Sequence, residues 1–112
     1  MGTVGKMVIA TIVAVTFSSP LRALEASMQL TGAGFSEACT RLNESWISFC
    51  NGYVQAIVDT LAVDDDICFS SDTTRTDIVT AVEQQITSST QLQARNAAEA
   101  VRTAMASSFP CR

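Results

Sequence analysis

The sequence predicts an all-α fold, a small disulfide-stapled bundle of about four helices. Three observations predict it. Large apolar residues recur at steps of three and four from Trp46 to Leu61, the period of one helical face. No stretch of useful length alternates apolar and polar residues with the period of two that a half-buried strand shows. Four Cys, at positions 39, 50, 68 and 111, follow an apolar N-terminal run laid out like an export signal. An even number of Cys in a small exported chain reads as a disulfide framework.

The N-terminus comes first. Lys6 precedes an uninterrupted run of apolar residues and Thr from Met7 to Phe17, which Ser18, Ser19 and Pro20 break. Ala23 closes a small-residue cleavage site, so residues 1–23 read as a secretory signal peptide and 24–112 as one domain. Leu21 is bulky for the −3 position, which leaves the cut free to shift by a few residues. The competing reading is an uncleaved membrane anchor. Against it, the eleven-residue run falls well short of the roughly 20 residues that a spanning helix needs.

Cutting after Ala23 leaves 89 residues with five Arg, no Lys and eleven acids, a net charge of −6. Such a surface argues against nucleic acid or an anionic membrane as partner and favours a basic protein. A domain of this size has a marginal core of its own. The chain has no His, which removes the commonest general base and the commonest metal ligand. There is no C-x-x-C pair and no nucleophile–base constellation, so no catalytic residue, cofactor or metal ligand is assigned. A Cys-only zinc site stays possible in principle, but export and the wide spacing argue against it.

After a short leader from Leu24 to Leu30, Phe35, Ala38, Cys39 and Leu42 form a brief helical stripe. Asn43-Glu44-Ser45 is a polar link, with Ser45 expected as the cap of the next helix. That link also spells a glycosylation sequon, which matters only in a eukaryotic secretory pathway. The helix from Trp46 to Leu61 is expected to be central. It places Trp46, Phe49, Cys50, Tyr53, Val54, Ile57 and Leu61 on one face, over a length of roughly 24 Å. Gly52 within it costs about 1 kcal/mol against Ala, which implies a close approach there by the last helix. Tyr53 is expected in the core, its hydroxyl at the rim.

Asp64-Asp65-Asp66 stops the helix. The spacing does not suit an EF-hand loop, which needs alternating ligands, a Gly and a terminal Glu, so the three acids read as a solvated loop. Ile67-Cys68-Phe69 anchors the returning chain. Thr74-x-x-Asp77 is a capping-box-like start, and Ile78, Val79, Val82 and Ile86 carry a third helix to about Thr87. Ser88-Ser89-Thr90 is a polar break. The last helix carries Ala94, Ala97, Ala98, Val101, Met105 and Phe109, its small residues allowing close approach to the central helix, and Pro110 ends it. Phe109 is expected to plug the bundle end.

Short links make neighbouring helices antiparallel. Cys39 and Cys50 then share one end of the bundle, while the last helix returns Cys111 to the end where Cys68 lies. Of the three possible pairings, Cys39–Cys50 with Cys68–Cys111 needs the least distortion. Loop-closure entropy makes the first bridge worth roughly 3 kcal/mol and the second about 4.

The assembled residues resemble the Rap/Tai family of type VI secretion immunity proteins. The matching pieces are Cys50-x-Gly52-Tyr53-Val54-Gln55 continuing to Asp59, then Cys68, Thr74-x-x-Asp77-Ile78, Ala97-Ala98 and Phe109-Pro110-Cys111. Family members often carry a Pro-Gly-Val-type turn where this chain has Phe69-Ser70-Ser71-Asp72, and many have Pro where it has Asn96. The resemblance implies an exported, all-helical periplasmic protein without enzymatic activity. It further implies that the protein binds and blocks a peptidoglycan amidase effector, and that it pairs as a homodimer.

The alternatives are a periplasmic binding or stress-related protein of the same family with no effector, and a saposin-like lipid binder. The second suffers from too few Cys and from helices poor in Lys and Arg. The expected partner-binding residues are Asp64, Asp65, Asp66 and Asp72. They lie on and just after the acidic loop, where the chain departs from its relatives. No membrane contact is expected after signal cleavage.

Overall fold

A computed structural model describes residues 2–5, 9–15 and 28–112. The expected cleavage site at Ala23 and the leader up to Ser27 lie outside the described residues. From Thr31 onward the chain forms five α-helices. These are α1 (Gly32–Cys39), α2 (Glu44–Val58), α3 (Arg75–Thr87), α4 (Thr90–Ala94) and α5 (Ala97–Ser108), with a 3₁₀ turn at Val63–Asp65. Among the described residues there is no strand, only two isolated antiparallel bridges, Thr31 with Asn96 and Ile67 with Pro110. The all-α reading holds.

Polar side chains set the helix ends. Thr31 Oγ1 accepts from the Gly34 N–H at 3.1 Å and starts α1, which stops at Cys39 and leaves Leu42 in the link, 91% exposed. Asn43, not Ser45, caps α2: its Oδ1 accepts from the Trp46 N–H at 3.1 Å. Asn43 has the extended backbone a cap requires, whereas Ser45 already lies in the first turn. At the other end α2 stops at Val58, three residues earlier than expected. The Thr60 and Leu61 N–H groups there turn back to Ile57 and Val58 in tighter i→i+3 bonds. At α3 the capping box forms as expected. Thr74 N–H donates to Asp77 Oδ2 at 2.9 Å and Asp77 N–H to Thr74 Oγ1 at 3.1 Å.

The last helix is two. Ser89 caps α4, Arg95 turns extended, and Asn96 Oδ1 accepts from the Ala98 N–H at 2.9 Å to start α5. The break lets the backbone pair with the N-terminal segment, Gly32 N–H to Arg95 O and Ala97 N–H to Leu30 O, both at 2.8 Å. A Cβ on Gly32 would run into the Leu92 carbonyl, so only glycine fits beside this crossing. Restarting the helix at Asn96 also resets its face. Ala98 is exposed, and Ala100 and Ala104 join Ala97, Val101 and Met105 in the core.

Both α1 and α3 touch every other helix, α3 through buried Ile78, Val82 and Ile86, and α5 packs chiefly against α3. The small residues of α5 therefore serve α3 more than α2, and α2 is not the centre of the bundle. Nothing approaches Gly52, which is exposed with open space where a Cβ would stand. Its expected close contact with the last helix is absent.

The two disulfides join Cys39 to Cys50 and Cys68 to Cys111, with Cα separations of 5.7 and 4.9 Å. Backbone bonds reinforce the second, Cys68 N–H to Phe109 O at 2.8 Å and Cys111 N–H to Asp66 O at 3.3 Å. Beside it the half-buried Phe109 packs edge-on against Phe69, ring centroids 5.1 Å apart, and closes that end of the bundle.

Candidate partner-binding surface

The acidic loop is built, not merely solvated. Asp65 Oδ2 accepts from the Ala62 N–H at 2.6 Å, which closes the 3₁₀ turn. The same oxygen meets Arg102 Nη1 of α5 at 3.3 Å, and Arg102 Nη2 donates to Thr60 Oγ1 at 3.0 Å. One guanidinium thus ties the end of α2 and the loop to α5. Asp66 follows with φ 55° and ψ 38°, a left-handed conformation that Asp tolerates better than most residues, and turns the chain toward Ile67.

The four expected partner-binding aspartates therefore differ in kind. Asp64 and Asp66 are exposed beside a fully exposed Val63. Asp65 is engaged internally. Asp72 belongs to a separate turn after Cys68, in which Thr73 N–H donates to Ser70 O at 3.1 Å and the two hydroxyls meet at 2.9 Å.

A second surface was missed in the sequence because its rings, Trp46 and Phe49, read as core. Cys39, the last residue of α1, is tied to Cys50, the seventh residue of α2. Residues 44–49 therefore run about 9 Å past that tie, beyond the end of α1. Phe49 is 39% and Ile47 47% exposed, and Trp46 is only half-buried. Aromatic rings continue outward from buried Phe35 through Tyr53 at 5.3 Å, Phe49 at 5.8 Å and Trp46 at 5.8 Å. Arg41 ends the series, its guanidinium 4.4 Å from the Trp46 ring centre and paired with Glu37 Oε1 at 3.0 Å. The missing cover could have been read from the lengths: a first helix of two to three turns is too short to shield all of α2.

Burial raises the Tyr53 phenol above its ordinary value, as befits a ring held between Phe35 and Phe49. Among the described residues no group of three or more His, Cys, Asp or Glu side chains is placed to hold a metal ion. No helix among them is long and apolar enough to cross a membrane. What the geometry offers is surface: a braced acidic tip, and an aromatic face with an Arg at its edge. Aromatic residues and Arg are the types enriched where proteins bind proteins.

The family model of the Rap1a immunity proteins matches residues 31–111. The chain belongs to the Rap1a immunity protein family. The match begins at the cap of α1 and ends at the last disulfide, so all five helices and both bridges of this Rap1a-family domain lie within it. No curated protein and no solved structure matches the chain.

Membership also explains the motifs. Gly52, Asp59 and Ala98 are exposed, but most of the matching residues build the frame: Cys50, Cys68 and Cys111 bridge, Thr74 and Asp77 cap, Ala97 is buried, and Phe109 closes an end. The exposed residues of this Rap1a-family domain, those free to meet an effector, lie mostly elsewhere.

Proposed function

We propose that this chain is a periplasmic immunity protein that binds a type VI secretion effector, a peptidoglycan amidase, and occludes its active site. Family membership over the whole helical domain carries the reading. The protein acts by occupancy, with no chemistry of its own. Asp64 and Asp66 draw in a basic surface on the effector, and Asp72 adds to the same field. The disulfides suit an oxidising compartment, and residues 1–23 supply the export signal.

Self-association, on this reading, uses the aromatic face of α2 rather than the acidic loop. Two copies of the loop would repel, whereas Trp46, Ile47 and Phe49 carry no charge and Arg41 is already paired with Glu37.

The test is protection. Cells producing an amidase effector from a neighbouring gene in their periplasm should survive when this chain is exported with it. They should lyse when the chain lacks residues 1–23. Lysis in both cases, together with no complex between the purified proteins, would refute the amidase assignment.

A further inference from the structure

Gly52 stands in the middle of α2, exposed, and none of the described residues comes within 4 Å of where its Cβ would be. Glycine is the poorest helix former after proline, so the fold itself gives no reason for it. Phe49 lies about one turn before Gly52 and Ala56 about one turn after it. Steps of three and four residues put all three on one stripe of the helix, and all three are exposed. Half-buried Tyr53 edges the stripe, its ring 5.8 Å from that of Phe49. No residue of α2 after Glu44 carries a charge, although the folded domain as a whole is acidic.

The stripe is a knob followed by a hole: a large ring at Phe49, no side chain at Gly52, a methyl at Ala56. Such a surface complements a second copy of itself. About a two-fold axis between Gly52 and Tyr53, Phe49 and Ala56 stand equally far along the helix, about 5 Å to either side. With the two α2 helices antiparallel, each Phe49 falls opposite the other copy's Ala56. With them parallel, ring would meet ring, and the two acidic loops, each with exposed Asp64 and Asp66, would lie side by side. Antiparallel packing carries those loops to opposite ends of the pair and sets the helix dipoles head to tail.

We propose that a second copy of the chain docks on α2 in this antiparallel register, the helices crossing at Gly52 and each Phe49 ring seated on the other copy's Ala56. The glycine lets the two backbones come close. The register rests on the reading of self-association given above, and not on which effector the protein binds. Both acidic loops stay open, so each copy keeps its own tip for an effector. A face about 22 Å long and 10 Å wide falls short of the roughly 800 Å² per partner of a stable interface. The pair is therefore weak and comes apart on dilution.

Sedimentation velocity of the exported, disulfide-intact protein should show dimer appearing between about 10 μM and 1 mM, the range of a small interface. Gly52→Leu fills the hole with a good helix former. It should keep the native circular dichroism and hold the protein monomeric over the same range. In a mixture of labelled and unlabelled chains, isotope-filtered NMR should give contacts between the Phe49 ring of one copy and the Ala56 methyl of the other. Contacts of Phe49 with Phe49 instead would overturn the register. A wild type that stays monomeric to the top of the range, or a dimer untouched by Gly52→Leu, would overturn the docking. These measurements use the chain alone. A failed pairing leaves the effector reading standing, and a failed protection assay leaves the pairing standing.

Discussion

Arg102 and Asp65 meet at 3.3 Å across 37 residues of sequence, and through that contact α5 holds the acidic loop in place. The pair is part-exposed, 40% for Arg102 and 26% for Asp65, so solvent screens it and its direct contribution is small. Its effect is local. Arg102→Ala should cost about 0.5–1 kcal/mol in urea unfolding. Amide exchange at Val63, Asp64 and Asp65 should speed up by more than that of α3. Equal acceleration in both places would show that Arg102 supports the whole bundle and not the loop.

Exposed charges at a tip act at long range. Replacing Asp64 and Asp66 with Asn, with Asp65 left on Arg102, should slow association with a cognate effector at low salt and change dissociation little. Asn accepts the left-handed backbone at position 66, so the loop keeps its shape. Stopped-flow rates decide this, and an association rate unchanged at low ionic strength would return the loop to a plain soluble turn.

The two bridges differ in access. Cys50 is only 3% exposed whereas Cys68 stands at the surface. A small dithiol should therefore open Cys68–Cys111 before Cys39–Cys50, since exchange depends on reaching a sulfur. Timed alkylation and peptide mass spectrometry would show the order. Once open, that end is still held by the Cys68–Phe109 backbone bond and the Phe69–Phe109 contact.

Asp77 reports on pH. Hydrogen bonding to the Thr74 backbone, and then to its side chain, holds the Asp77 carboxyl below its ordinary value. A carboxylate depressed in the folded state stabilises it above the unfolded pKa, and loses that effect as pH falls through the folded value. The stability gap between wild type and Asp77→Asn should be full at pH 7 and begin to narrow below about pH 4. A gap that is the same at pH 7 and pH 2.5 would mean that the charged form is not what caps α3.

Gly52 is an exposed helical glycine with room for a Cβ. Gly52→Ala should stabilise the free protein by about 1 kcal/mol, seen as a raised urea midpoint with an unchanged slope. If the same change weakens effector or self-association, the close approach that the glycine permits belongs to a partner. A destabilised free protein would contradict the open space at that position.

The all-helical class, the capping of α3 and the two-bridge framework were legible in the sequence because each rests on local spacing or on chain order. Thr74 and Asp77 need only be three residues apart, and antiparallel neighbours dictate which Cys can meet. The break at Arg95–Asn96 is different. It depends on Gly32 and Leu30 arriving from about 65 residues away, the first to donate and the second to accept a backbone bond, which no local pattern announces. The exposure of Trp46, Ile47 and Phe49 is also non-local. Periodicity tells which side chains share a face, but whether that face is covered depends on the length and placement of the neighbouring helix. Here α1 ends at Cys39, and α2 runs on without it. Likewise, the sequence by itself determined that the loop after α2 is acidic. Only the tertiary structure decided that Asp65 turns inward to Arg102 while Asp64 and Asp66 face solvent, because the cation that meets Asp65 comes from α5, 37 residues away in sequence.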